Sequence, residues 1–268
     1  MNVEMNGIPV YYEIYGEGVP VLCIHGYWVD HRLMSGCLEP VFEQIKGYQR
    51  IYLDMPGFGQ TPSNRLIKDA NDMIEFIKQF IDIVIGNHHF LLIGESFGGY
   101  LSMGLIYEMA EKIDGLMLIC PLTVYAHIEL PKKEIIYQSE ELKNSEDVDV
   151  ISFLDMAVVA TPEIYKKYKD DILAGILTSD KEYLSNYFYG RFHADYEASI
   201  KDVIYAKPSC ILTGRQDHVL GFSSAYQMLP QLPRATFAIV DCAGHNLQID
   251  NVELFNQMVK DWIWRVEM

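Results

Sequence analysis

The chain has 268 residues, half of them hydrophobic and 22% charged, a composition that suits one α/β domain with an insertion and argues against a disordered chain. Its formal net charge of -16 repels a phosphate backbone, and no stripe of Lys or Arg interleaved with aromatics offsets it, so no nucleic-acid partner is expected. No run approaches the roughly 18 apolar residues of a membrane span, and the opening MNVEMNGIPV lacks the basic region and long apolar segment of a secretory signal; a soluble, cytoplasmic protein without a membrane partner is expected.

In chain order, Asn6-Gly7 stands between NVEM and IPVYYEIYG. That dipeptide suits a tight hairpin turn, because both central positions need positive φ. After a glycine-rich turn at Gly16 and Gly18, the run VPVLCIH ends at Gly26 and reads as a strand buried on both faces. The same pattern returns at 50–54, 89–94, 115–120, 208–214 and 235–241. Between these runs lie apolar residues at helical spacing, such as Ile74, Ile77 and Ile81, then Leu101, Leu105 and Met109. The alternation predicts an α/β fold: a mostly parallel sheet with helices on both faces, eight-stranded with the opening hairpin, and functional loops at the carboxyl ends of its strands.

One interval breaks the rhythm. Between Cys120 and Pro208 there is no convincing buried strand, only helix-compatible sequence rich in Tyr, Lys and Glu, which reads as an inserted helical cap. The division expected is a core domain of 1–121 and 208–268 with a cap domain of 122–207. The acidic stretch 140–149 reads as a solvated helix end and loop. The five cysteines are odd in number and lack CxxC spacing; Cys23, Cys120 and Cys210 lie in or beside apolar runs, as reduced core thiols do.

The run HFLLIG leads directly into Gly94-Glu95-Ser96-Phe97-Gly98 and then a helix. A strand that turns into a helix within so few residues strains its central residue, and bulky neighbours two before and two after would clash. Glycine at 94 and 98 removes the clash and lifts Ser96 to the sheet's edge, at the amino end of a helix where negative charge is favoured. Neither GxGxxG nor a GK[ST] ending accompanies it, which disfavours a phosphate-binding loop.

A serine hydroxyl needs a base, usually a histidine held by a carboxylate. Asp217 in LTGRQDHV and His245 in IVDCAGHNLQI both stand just past buried strands, as Ser96 does, so the three can converge on one rim. Asp241, four residues before His245, is the rival carboxylate and reads as a loop residue, as does His218.

With His25-Gly26 after the third strand, Asp54-Met-Pro-Gly-Phe-Gly59 after the fourth, the turn at Ser96, Gly214-Arg-Gln-Asp217 and Gly244-His245, the chain resembles the α/β-hydrolase superfamily, specifically its capped members, over essentially its whole length. The resemblance implies Ser96 as nucleophile, His245 as base and Asp217 as its orienting carboxylate, with the backbone N–H groups of Tyr27 and Phe97 as the oxyanion hole. It implies a small-molecule substrate and no cofactor. His25, Gly26 and Trp28 are expected at the substrate pocket, with His25 bracing the oxyanion loop, and Asp54, Gly57 and Gly59 are expected to shape a turn near the pocket.

No metal is expected, since His88-His89 and Arg191 with His193 lack ligand spacing. Tyr183, Tyr187, Phe188, Tyr189 and Phe192 read either as pocket lining or as ordinary packing. The expected activity is hydrolysis of a small to medium carboxylic ester through an acyl-enzyme. Ser96 stands where related dehalogenases and epoxide hydrolases carry aspartate. Cleavage of a carbon–carbon bond in a vinylogous diketone is the alternative, although Asn246 follows the histidine where those enzymes tend to carry tryptophan. A low-turnover ligand receptor on the same fold is a third reading, and the oligomeric state stays open.

Overall fold

The computed structural model describes residues 1–125 and 130–268; residues 126–129 of the expected cap lie outside the described residues. The chain opens with β1 (Asn2–Met5) and β2 (Ile8–Tyr15), an antiparallel pair joined through Asn6 and Gly7 at φ 50° and 77°, the backbone their side chains tolerate best. There follow β3 (Val19–Ile24), α1 (His31–Phe42), β4 (Tyr48–Leu53), α2 (Ala70–Val84), β5 (Phe90–Glu95), α3 (Phe97–Met109) and β6 (Ile113–Ile119).

Eight strands form one sheet in the order β1-β2-β4-β3-β5-β6, completed by two late strands at Ser209–Gly214 and Ala235–Val240. Among the described residues of this sheet, only the β1–β2 and β2–β4 pairings are antiparallel; the rest run parallel. Two apolar layers cover it. On one face Ile74, Ile77, Leu101 and Leu105 of α2 and α3 pack on Leu22, Ile51 and Leu92. On the other, Leu33 and Leu38 of α1 meet Tyr52, Ile93 and Trp262.

Between β6 and the late strands the chain makes the inserted helical region: β7 (Tyr137–Gln138), α4 (Glu140–Lys143), α5 (Val148–Met156), β8 (Val159–Ala160), α6 (Pro162–Lys167), a π-helical turn at Tyr168–Leu173, and α7 (Ala174–Thr178). β7 and β8 pair in parallel, an addition to the helix-only expectation that two-residue strands cannot announce, since they carry no period. The acidic stretch 140–149 is mostly exposed, with Leu142 its buried anchor. The region is pinned to the sheet layers by buried side chains: Tyr183 Oη donates to the Ile67 carbonyl at 2.7 Å, and Tyr196 Oη to that of Tyr100 at 2.8 Å. The chain closes with β9 (Ser209–Gly214), α8 (Ser223–Tyr226), β10 (Ala235–Val240), α9 (Leu247–Asp250) and α10 (Val252–Glu267). Among the described residues no helix is long and apolar enough to cross a membrane.

Candidate active site

β5 is buried along its whole length and ends in the turn that carries Ser96. Ser96 adopts φ 51°, ψ -116°, a left-handed backbone that costs a non-glycine residue about 1–3 kcal/mol. Its amide donates to the Ile119 carbonyl at 2.9 Å, and its carbonyl accepts from Leu122 and Gly99, so the neighbouring strand holds the strain in place. A Cβ at Gly94 would run into Ser102 Oγ and the Gly98 carbonyl, and one at Gly98 into the carbonyls of Ile24 and His25. Both glycines are therefore required by close backbone approach.

Trp28 after β3, Cys120 after β6 and Cys242 after β10 also have positive φ. Backbone strain gathers along the carboxyl edge of the sheet. At that edge His245 follows β10 and Asp217 follows β9. Ser96 Oγ lies 3.0 Å from His245 Nε2, and His245 Nδ1 lies 2.9 Å from Asp217 Oδ2. The other carboxylate oxygen, Oδ1, accepts from the amides of Val219 and Leu220 at 2.9 and 3.0 Å. The rival Asp241 is instead turned outward, accepting from Gln216 Nε2 at 2.8 Å.

Burial alone would push the imidazole of His245 down, but the charge and hydrogen bond of Asp217, with the charge of Glu95 behind them, raise it to about 9. Asp217 responds in the opposite sense. Burial would raise its carboxyl, and the facing imidazole and two amides hold it below the ordinary value.

Among the described residues, neither the Tyr27 nor the Phe97 backbone N–H donates to a protein acceptor. Phe97 opens α3, where the first amides have no partner within the helix. His25 is fully buried and lies behind the cavity rather than on its wall. Its Nε2 accepts from the Met55 amide at 3.2 Å and its Nδ1 donates to the Gly26 carbonyl at 2.7 Å; that pattern needs a neutral ring, and burial accordingly lowers its basicity. Gly26 likewise sits behind the wall, where a side chain would collide with Glu95 and Ser96. Trp28 lines the cavity. Asp54 shapes its turn as expected: it accepts from Gln60 N at 2.8 Å and also from His31 N at 2.9 Å, joining the turn to the start of α1.

Over Ser96 opens a cavity of about 620 Å³. Its walls are mainly apolar: Leu33, Phe97 and Leu220 from the sheet layers, Met156, Ile172 and Ile176 from the inserted region. Of the aromatic cluster, Tyr189 and Phe192 reach the cavity. Tyr183 and Phe188 are packed inside the apolar layer, and Tyr187 binds the Arg65 carbonyl.

Among the described residues, two groups of ligand-type side chains come close together, Cys120 with Asp217 and His245, and Asp30 with His31 and Asp54. In both, the carboxylates are already engaged by protein donors, in the second case by Arg32, His31 and Gln60. The residues at 88, 89, 191 and 193 join neither group.

The site also contains two acidic residues with no assigned place in the sequence reading. Glu95 is 2% exposed, lines the cavity and stands 3.7 Å from His245 Nε2; burial raises its carboxyl to about 7. Its signal was a lone acid closing an otherwise apolar, buried strand. Asp250, in α9, accepts from the Gly244 amide at 2.8 Å and from the amides of Val158 and Val159, and burial raises it to about 7. Nothing in its sequence surroundings marks it, because its partners lie across the fold.

Residues 21–257 match the sequence profile of a family described as "Alpha/beta hydrolase family". A 2-hydroxy-6-oxononadienedioate/2-hydroxy-6-oxononatrienedioate hydrolase from Paraburkholderia phymatum is 22% identical over 229 residues, covering 81% of this chain and 77% of that protein. Among solved structures, an alpha/beta superfamily hydrolase from Oenococcus oeni superposes with a TM-score of 0.88 at 25% identity, covering all of both chains. An esterase from Exiguobacterium antarcticum superposes at 0.74 with 18% identity, covering 98% of this chain and 97% of its own.

Proposed function

The chain belongs to the alpha/beta hydrolase family, and from that premise we propose that this hydrolase cleaves neutral carboxylic esters of small to medium size through an acyl-enzyme on Ser96. One observation carries the reading: Ser96 Oγ, the His245 imidazole and the Asp217 carboxylate form an unbroken chain of contacts at 3.0 and 2.9 Å under an apolar cavity.

In the neutral imidazole, Nδ1 carries the proton that Asp217 accepts, and the Nε2 lone pair faces Ser96. Ser96 Oγ attacks the acyl carbon while its proton passes to Nε2; the tetrahedral oxyanion takes the N–H groups of Tyr27 and Phe97, and the proton then passes to the departing alkoxide. Water repeats the sequence on the acyl-enzyme and frees the acid. In this reading residues 122–207 are the cap, which supplies part of the acyl-binding wall, and 1–121 with 208–268 are the core domain that carries the chemistry.

The cavity's chemistry favours a neutral ester over a carboxylate-bearing dienoate of the kind in the Paraburkholderia phymatum relative's name. Among the described residues no Lys or Arg lines it, while Glu95 does. An anionic substrate would lose its water there beside the Glu95 carboxylate, with no Lys or Arg to pair with and with the His245 ring already held by two carboxyl groups.

The test is a panel of p-nitrophenyl esters of increasing acyl length, run against a dicarboxylate ring-fission diketone, with Ser96→Ala as control. We expect ester turnover, negligible diketone cleavage, and a loss of at least about a thousandfold in kcat in the variant. Ester hydrolysis that survives the substitution rejects the mechanism, and preferred cleavage of the diketone rejects the substrate class.

A further inference from the structure

Glu95 has no part in the acyl transfer just described, yet it touches two pieces of the machinery. Its Oε1 lies 3.7 Å from His245 Nε2, the nitrogen that faces Ser96. The carboxyl also accepts from the Gly26 amide and fills the space where a side chain at Gly26 would go, directly behind Tyr27. Asp217 already holds Nδ1 on the far side of the ring. One imidazole is thus flanked by two buried carboxyl groups.

We propose that Glu95 is a positioning residue for the hydrolytic reaction: its carboxylate, set against the Nε2 side of His245 and the Gly26 loop, holds the imidazolium and sets the pH above which His245 can take the Ser96 proton. The inference rests on the reading of His245 as the base. An ionised carboxylate within about 4–6 Å favours the charged ring, and burial removes the water that would screen it. The same charge lies on the cavity wall, which ties the pH behaviour of the site to its preference for neutral substrates.

Among the described residues, the surrounding titratable groups do not supply a competing cation at this face. The thiols of Cys120 and Cys37 are pushed up by burial and stay neutral. Burial and the charge of Lys133 lower the basicity of His218. Lys133 itself donates to the Ala157 carbonyl at 2.6 Å and interacts with Asp250 rather than Glu95.

Two measurements on the full chain test this. In the resting protein, the His245 ring is titrated by NMR with nitrogen-labelled histidine, in wild type and Glu95→Gln; kcat/KM for a neutral ester is followed over the same pH range. We expect the wild-type ring and kcat/KM to share an alkaline midpoint, and both to move down by about one pH unit in Glu95→Gln. The ratio of kcat/KM at pH 7 to that at pH 10 should rise about tenfold accordingly. Glu95→Asp, which keeps the charge, should retain most of the alkaline midpoint.

A midpoint that stays put or rises, with kcat/KM lowered evenly at all pH, assigns Glu95 a merely structural role and overturns the proposal. Should Glu95→Gln not fold, carbon-labelled glutamate in the wild-type protein decides: one carboxyl whose signal shifts together with the titration of the His245 ring supports the proposal, and no glutamate coupled to that titration defeats it. The Ser96→Ala control separates the two levels of the argument. Turnover surviving in that variant defeats the acyl-enzyme mechanism itself, whereas an inactive Ser96→Ala together with a His245 titration unmoved in Glu95→Gln defeats only the role of Glu95.

Discussion

Asp217 makes three hydrogen bonds from inside the protein, two from amides and one from the imidazole. The amides hold Oδ1 and fix the rotamer, which turns Oδ2 toward Nδ1 of the ring. In Asp217→Asn an amide NH2 can face Nδ1 and favour the other tautomer, with the proton on Nε2, where it cannot receive the Ser96 proton. We expect kcat to fall by about 10³–10⁴-fold with KM little changed, measured on the preferred ester, while the melting temperature stays within a few degrees of wild type. A comparable loss of KM and kcat together would mean the carboxylate shapes the pocket instead.

At this scale much of the candidate site was legible. Ser96, Asp217 and His245 each follow an apolar run, and a parallel sheet brings such positions to one edge. Glu95 was not, because a motif reader treats the residue before the serine as any residue. Its importance arises from where β5 ends, with its side chain directed at a ring 150 residues downstream.

Between the elements, the inserted region and the loop bearing His245 meet at one carboxyl. Asp250 in α9 binds the Gly244 amide, next to His245, and the amides of Val158 and Val159 at β8. Replacing it by alanine leaves those buried donors without an acceptor, which costs about 1–3 kcal/mol for each unsatisfied group. With three such donors we expect Asp250→Ala to lower stability by at least about 3 kcal/mol, read from the urea midpoint, and to lower kcat as His245 loses its anchored neighbour. An unchanged midpoint would show that water replaces the carboxyl at no cost.

The sheet's inner strands were legible because each carries a run of buried β-branched and leucine side chains, and the hairpin because Asn-Gly names its own turn; β10, expected to be buried like them, stands at the sheet's edge and buries only Val240. The arrangement of the inserted region was not. Its short helices and the β7–β8 pair have too few residues to show a period, and they are fixed instead by tertiary bonds such as Tyr183 to Ile67 and Tyr196 to Tyr100. The same holds for the choice among the aromatics: Tyr189 and Phe192 face the cavity while Phe188 packs beneath Phe97, and helical spacing alone does not tell these apart.

For the molecule as a whole, buried carboxyls and net charge act together on stability. Burial raises Glu95 and Asp250 to about 7 and Asp171 to about 6, the last against the pull of Lys167. Each binds a proton in the folded chain at a pH where the unfolded chain has released it, so its contribution is full below the ordinary carboxyl value and is lost as pH rises through the folded one. His245, raised to about 9, adds the same sign between the ordinary imidazole value and 9.

Asp217, Asp30 and Glu13 are lowered, in each case by partners that outweigh the effect of burial. Their contribution has the opposite sign and disappears in acid below the ordinary carboxyl value. Stability should therefore peak near pH 5, roughly between the two windows, and fall from there to pH 8. Self-repulsion from a formal net charge of -16 deepens the fall and is screened by salt.

At about 1 kcal/mol for each raised carboxyl, the melting temperature should drop by at least 5 °C or so between pH 5 and pH 8, and added sodium chloride should raise it more at pH 8 than at pH 5. Calorimetry across that range checks both. In Asp250→Asn and Glu95→Gln the slope should flatten, because a group that no longer titrates cannot carry stability away with its proton. A melting temperature that climbs steadily from pH 5 to pH 8 would mean these carboxyls are solvated and ionised throughout, and with them would go the buried charge on which the behaviour of His245 depends.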